Sequence, residues 1–460
     1  MKKIFAIGIV LLMSISMLVM AGARTESSSG SGGVTTIRVW TNDAHNKAEC
    51  DKMVADFNAG RGAQLGIKVE YTVYGADWQT AMGIALENNA APELFKGISG
   101  MDNYWQQGKL LAWDEIPGIN DILRDQEPYH RNMTTMFGGK PYSVAIYGWS
   151  SGFHYNKALL QRAGFSAPPK TWAEFEQQAI AISRLAPDIY GYAMPLVWSP
   201  DFMYWLIEYA AANSIGHPYY DHTTDSYKIV DYAPYYEMLA RIREAGAMFP
   251  GMESLSDDQQ RAQFANGKIG FIGGAGWNVG VLYEQFPFPN PNDWDYAPLP
   301  VMDPNNVYKV PVSAGASIFA NAQVKNDRDK LNKVGEVIRL FVGPDTQSLM
   351  FTAGKNVPLR EDVIAKSAQA ARPQWTSYGK AAGATITWLA NPTTRLAPEG
   401  ADLTTVMAQV LTGQIPRGGI RAAFEDLDKR YNAALQQAYQ RGQIKREDYF
   451  DPAFAARMKR

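Results

Sequence analysis

Residues 140–184, KPYSVAIYGWSSGFHYNKALLQRAGFSAPPKTWAEFEQQAIAISR, constrain the fold more tightly than any other part of the chain. After the turn signal Gly138-Gly139, Tyr142, Val144 and Ile146 recur at every second position, the period of a strand. A second extended run, Phe153-His154-Tyr155, ends at Asn156, whose side chain suits a helix N-cap. The short helix from Lys157 is expected to stop at Gly164, where a left-handed C-cap favours a residue without Cβ. Pro168-Pro169 then breaks the chain. Thr171 and Glu174 have the spacing of a capping box, and Trp172, Phe175, Ala179 and Ile182 share one helical face behind them. Strands and amphipathic helices in succession make an α/β protein.

The first hundred residues carry the same alternation. Ile37 and Val39 flank Arg38 and lead into Trp40-Thr41-Asn42-Asp43; a helix to about Asn58 follows. Ile67, Val69, Tyr71 and Val73 share one face of a second strand. Asp77 is placed to cap a helix with Trp78, Met82, Ala85 and Leu86 inward, and Pro92 ends it before a short strand at Leu94-Phe95. This βαβ order predicts a mostly parallel sheet covered on both faces. Ligands of such sheets sit outside the carboxyl ends of the strands, here 40–43, 74–78 and 99–102. Farther on, the pattern reads as strand and loop at 190–198, an aromatic-rich helix at 200–212, a polar hairpin or loop at 219–232 and a helix at 234–245. A strand at 267–271 then runs into Gly273-Gly274-Ala275-Gly276-Trp277.

Several of these segments together resemble the family 1 extracellular solute-binding proteins, the maltose-binding-protein-like receptors of ABC importers. The matching positions are Gly139-Lys140, Tyr142, Tyr155-Asn156-Lys157, Gly164 and Pro168-Pro169-Lys170-Thr171-Trp172-Ala173-Glu174-Phe175. The glycine-rich loop ending at Trp277, Pro298-Leu299-Pro300, the return strand 310–319 and Val410-Leu411-Thr412-Gly413 extend the likeness over nearly the whole mature chain. The resemblance implies a periplasmic-binding-protein type II-like fold: two discontinuous α/β lobes with a hinge and an interlobe cleft. It places chain crossings near 145–152, 301–310 and Phe351. The lobes are then 35–145 plus 310–352 and 146–309 plus 353–460. It also implies a monomer that closes on a small solute, probes no nucleic acid, and hands its ligand to transmembrane permease subunits.

Bulk properties agree with an exported globular protein. The chain has 460 residues, long enough for two or three domains. Lys2-Lys3, the apolar run 4–20 and Ala21-Gly22-Ala23 form a signal peptide, 1–23, with an A-x-A cleavage site. Its removal takes two lysines and moves the net charge from −2 to −4. A Ser/Gly linker, 24–34, follows. The expected location is the periplasm. Many relatives carry a lipid-anchor cysteine at the cleavage site, and here none lies near Ala23. Cys50, the single cysteine, excludes an intrachain disulfide and falls in step with Met53, Val54 and Phe57 on a helical face.

Motifs of catalysis are weak. Gly148-Trp149-Ser150-Ser151-Gly152 spells G-x-S-x-G, but a nucleophile elbow needs a helix directly after the serine, and extended residues follow here. His217, Asp221 and His222 match no named metal spacing and read as a polar loop. No phosphate-binding or dinucleotide fingerprint is present, and no basic cluster supports nucleic-acid binding. No cofactor is expected.

Binding remains. Aromatic residues make up 12% of the chain, with 12 Trp and 24 Tyr. Rings can cover the C–H faces of a neutral sugar while Asp, Asn, Arg and backbone groups pair with its hydroxyls. The candidate ligand-binding rings, at strand ends and in loops, are Trp40, Tyr74, Tyr147, Trp149, Trp198 and Trp277. Candidate polar partners are Asn42, Asp43, Asp102, Asp201, Asn278 and Arg395. A non-sugar solute such as a polyamine, metal or phosphodiester is the alternative ligand, and an exported hydrolase using Ser150 the alternative function.

Overall fold

The computed structural model describes residues 33–75, 77–197, 207–313, 317–368, 372–375, 377, 385–387 and 389–459. The signal peptide and most of the Ser/Gly linker lie outside these residues, as do Trp198, Asp201 and the first part of the helix expected at 200–212.

One sheet gathers the N-terminal strands. Its order is Ile67–Val73, Thr35–Thr41, Leu94–Phe95, Phe319–Asn321, Leu110–Leu111. The first three are parallel, as the βαβ pattern predicts, and the late strand Phe319–Asn321 runs antiparallel to both its neighbours. Ile37 and Val39 point to one face, where they meet the helix Lys47–Ala59 and the apolar stripe Val334, Val337, Ile338 and Phe341 of the helix Arg328–Val342. Cys50 is buried in this cluster. The opposite face packs on Trp78, Met82 and Leu86 of the helix Trp78–Glu87. Full burial of each such side chain contributes roughly 1.5–3 kcal/mol. Asp77 takes the N-cap position of that helix, although its side chain makes no capping bond.

A second sheet has the order Trp294–Pro298, Gly152–Asn156, Ile269–Gly274, Tyr190–Ala193. It is followed by the elements the sequence specifies most sharply. Asn156 caps the helix Lys157–Arg162 by accepting from the Leu159 N–H at 3.0 Å, and Gly164 takes φ +90° beyond its end. Thr171 and Glu174 close the capping box of Trp172–Ser183, whose Trp172, Phe175, Ala179 and Ile182 are all buried. The large core of this lobe also takes in the helices Ala233–Glu244, Leu403–Thr412 and Ile420–Gln440. The hairpin or loop expected at 219–232 contains a hairpin, Tyr220–Asp221 with Ser226–Tyr227, and its tyrosines are buried in that core.

A third sheet carries the chain between the two. Tyr147–Ser150 pairs antiparallel with Val310–Ser313 and with Val357–Pro358, and Thr385–Thr387 adds to Val310–Ser313 in parallel. Two expectations are corrected here. The strand foreseen over 142–146 shrinks to Lys140–Pro141, hydrogen-bonded to Met136–Phe137; Ser143 and Val144 instead bond singly to residues 317–318. The crossing foreseen at 301–310 lies at Val310–Ser313, because 301 is tied to the second lobe by hydrogen bonds with Lys170 and Trp172. Behind this sheet, buried Lys355 pairs with Glu284 at 2.8 Å and Glu49 at 3.6 Å, bridging helices of both lobes.

Candidate functional site

The cleft floor grows from the ends of the first sheet. On the strand Thr35–Thr41, Trp40 faces away from the Ile37–Val39 side and packs at a tilt against Tyr74, ring centroids 5.1 Å apart, and Tyr74 meets Trp78 at 5.6 Å. Backbone hydrogen bonds from Tyr74 N–H to Thr41 O and from Lys96 N–H to Trp40 O carry the sheet one residue past its strands. Beyond Lys96 the chain leaves the sheet and turns into the helix Met101–Gln106, which presents Asp102. Lys96 forms an ion pair with Asp43. Burial pushes the Asp43 carboxyl up, but the charges of Lys96 and His45 outweigh it and hold it below the usual range.

A cavity of about 400 Å³ opens against this floor. Its first wall is Lys96 to Asp102, with Met133, Phe137 and Phe319 behind; its second is Asn391, Thr394, Arg395 and Tyr449. The volume sits near the lower end of the 300–1,000 Å³ range of small-molecule pockets. Asp102 and Arg395 meet across the gap as an ion pair, their side chains 12% and 20% exposed. The charged groups described on this wall are therefore matched inside the protein: Lys96 by Asp43, Asp102 by Arg395.

The structure brings Asp102 and Arg395 into this cavity and sets Trp40, Tyr74 and Asp43 directly behind its floor. Other candidates are placed elsewhere. Asn42 is exposed on the strand-end loop. Tyr147 lines a second, smaller cavity of about 60 Å³ with Thr41, Tyr71, Ser317 and Asn356; Asp43 lines it too, and Lys96 borders both cavities. The Tyr147 hydroxyl has no partner there, and burial pushes its pKa up. Trp149 lies in the crossing strand, opposite Ser313. Trp277 begins the helix Trp277–Glu284 and is half-buried. Asn278 is corrected to a packing role: it is 1% exposed, and its amide oxygen accepts from Arg261 Nε at 2.9 Å. The first helical turn aims it inward, under Gly274.

Sequence reasoning missed Lys96, Phe137, Phe319 and Tyr449. Lys96 directly follows a predicted strand, so the strand-end rule could have found it. The others carry no local signal.

The remaining motifs find structural partners. Ser150 ends one strand and Gly152 begins the next, so no helix follows the serine. Gly152 is required by packing, since a Cβ there would fall 1.9 Å from the Tyr296 ring. His217 bonds Asp231 at 3.0 Å, His222 bonds the Tyr449 carbonyl at 2.8 Å, and Asp221 bonds Thr223 and Thr224, so the three serve separate contacts.

Two α/β lobes, each interrupted in sequence, joined by a crossing sheet and facing each other over a cleft, define the periplasmic-binding-protein type II class. The chain belongs to the family described as bacterial extracellular solute-binding protein, whose model matches residues 49–343. Among solved structures it resembles the maltose/maltodextrin-binding domain MalE of Bdellovibrio bacteriovorus bound to maltotriose, with a TM-score of 0.66 at 14% identity, covering 88% of this chain and 100% of that one. It also resembles the GacH receptor of Streptomyces glaucescens, solved with acarbose, with a TM-score of 0.66 at 17% identity over 87% and 98%. The melibiose/raffinose/stachyose-binding protein MelE of Bacillus subtilis is 27% identical over 173 residues, 36% of this chain and 37% of that protein. The chain thus aligns with little more than a third of this curated relative. Among the described residues no helix is long and apolar enough to cross a membrane.

Proposed function

We propose that this protein is the periplasmic receptor of an ABC importer and that its ligand is a neutral mono- or oligosaccharide held between the lobes. The observation that carries the reading is the internal matching of charge on the cleft wall: Lys96 with Asp43 and Asp102 with Arg395. A charged solute needs a counter-charge left open for it, whereas a sugar needs hydroxyl partners and apolar surface, which Asn391, Thr394, Met133 and Phe319 offer. The names of the relatives, with maltotriose, acarbose, melibiose, raffinose and stachyose, point the same way.

The lobes run 35–145 plus 310–352 and 146–309 plus 353–460, and the crossing strands between them act as the hinge. A ligand touching both lobes only when they are closed shifts the population towards that state, and periplasmic binding proteins are known for such closure. The closed monomer is then read by the permease subunits, and the sugar is released unaltered, without catalysis.

Thermal-shift screening against maltotriose, melibiose, raffinose, stachyose and a set of polyamines and phosphodiesters tests this. A sugar at 100-fold its Kd is expected to stabilise by about 2.7 kcal/mol. Stabilisation by a charged solute and by no sugar overturns the reading. So does a covalent fluorophosphonate adduct on Ser150.

A further inference from the structure

The last segment of the chain, 444–459, is seated on the second lobe like a strap. Ile444, Phe454 and Met458 are 6%, 0% and 0% exposed. Its backbone is tied down at several points. Asp451 N–H donates to His222 O at 2.9 Å, Ala455 N–H to Thr223 Oγ1 at 3.0 Å, and Lys309 N–H to Met458 O at 2.8 Å. The segment lies far beyond the residues matched by the family model, 49–343.

In the middle of the strap the chain turns through Arg446–Asp448 and brings Tyr449 to the cavity wall, beside Arg395. Tyr449 is 4% exposed and its ring joins the lobe core, which leaves its conformation little freedom. Its hydroxyl has no hydrogen-bond partner among the described residues. One buried side chain holds the Tyr449 carbonyl. His222 is 0% exposed, its Nδ1 donates to the Tyr449 carbonyl at 2.8 Å, and its ring lies 4.9 Å from that of Phe454. Burial pushes its imidazole down to about 4, so it is neutral, and the proton sits on the nitrogen that faces the carbonyl.

We infer that the C-terminal strap is a specificity element of the cleft: Tyr449 offers its hydroxyl to one ligand hydroxyl, and His222 is the positioning residue that holds it there. The inference rests on the sugar-receptor reading above. A fixed hydroxyl in a closing cleft discriminates because a sugar that fails to meet it leaves a polar group unpaired. The strap therefore ranks sugars and does not merely add affinity.

The test is calorimetric titration of the full mature chain with every panel sugar that wild type binds, for wild type, Tyr449→Phe, His222→Leu and the double variant. Tyr449→Phe keeps the ring, so the melting midpoint of the free protein stays close to wild type. The expected result is an affinity loss of about tenfold for some sugars and little for others, with a changed rank order. His222→Leu should reproduce that pattern and add nothing in the double variant. Unchanged affinities in Tyr449→Phe, or one common factor across all sugars, overturn the inference while the receptor reading stands. If wild type binds no panel sugar, the receptor reading falls and the inference falls with it.

Discussion

In the first lobe the buried carboxylate of Glu93 accepts from Arg38 N–H and Nε at 2.9 and 3.0 Å and from Lys330 Nζ at 2.7 Å. In the second lobe Glu208 is 0% exposed, and neither of its oxygens has a hydrogen-bond partner among the described residues. Burial pushes both acids up. At Glu93 the hydrogen bonds of Arg38 and Lys330 outweigh it and hold the carboxyl below its ordinary value; at Glu208 nothing does, and it stands well above. The first lobe pairs its buried carboxylate, and the second leaves its carboxyl to burial, which favours the protonated form. The cleft walls repeat the contrast. Lys96 is matched by Asp43 within its own lobe, whereas Arg395 reaches across to Asp102. One wall is matched by a residue of its own lobe; the other is matched only by a residue from across the cleft.

The largest effect should come from breaking that cross-cleft pair. Arg395→Ala leaves Asp102 without its partner in the closed form, and truncating one side of such a pair costs about 2 kcal/mol or more. Ligand affinity by calorimetry is expected to fall about 30-fold. Asp102→Asn should fall comparably, with the double variant far from additive. Additive losses would show that the two residues act separately and would remove the contrast between the walls.

Glu93→Gln should come next, with about 2 kcal/mol lost at pH 7, because hydrogen bonds to charged donors are surrendered. The sign follows from a depressed folded-state pKa: the contribution is present above the unfolded value near 4.5 and fades as pH falls. Urea titrations of variant and wild type should therefore converge towards pH 3. Curves that stay parallel would mean that the pairing contributes nothing through charge.

Smallest is Glu208→Gln, expected to stabilise by about 1 kcal/mol at pH 7, since the amide carries no charge to bury. Here the folded-state pKa is raised, so the stability of wild type is full below about pH 4.5 and declines as pH rises from there. The variant should lose that decline and meet wild type at acid pH. A wild-type stability independent of pH between 5 and 8, identical in the variant, would erase the difference between the lobes.

Much of the scaffold was legible locally. The capping box at Thr171 and Glu174, the N-cap Asn156 and the C-terminal Gly164 each depend on residues within a turn of one another. The strand Thr35–Thr41 was legible from alternation, because one of its faces must be dry. Alternation misled at 142–146. Val144 and Ile146 are buried as their pattern demands, yet the segment finds single backbone contacts where a ladder was expected. Burial is a property of side chains, and a strand also requires a neighbour in register.

The cleft divides along the same line. Trp40, Asp43 and Asp102 could be named because strand ends are marked by the chain itself. Arg395 is a candidate by number as well, but no local pattern pairs it with Asp102; their opposition, 293 positions apart, is a fact of how the lobes dock. Tyr449 could not be named at all. Nothing near it in sequence separates a wall residue from a core ring, and its carbonyl is bonded by a buried histidine more than two hundred residues earlier. The sequence by itself determined the periods, caps and turns that make two α/β lobes, since short-range sterics and hydrogen bonding suffice for them. Which side chains face each other across the gap was decided only by tertiary structure, because contacts between distant segments are selected by the packing of the whole body.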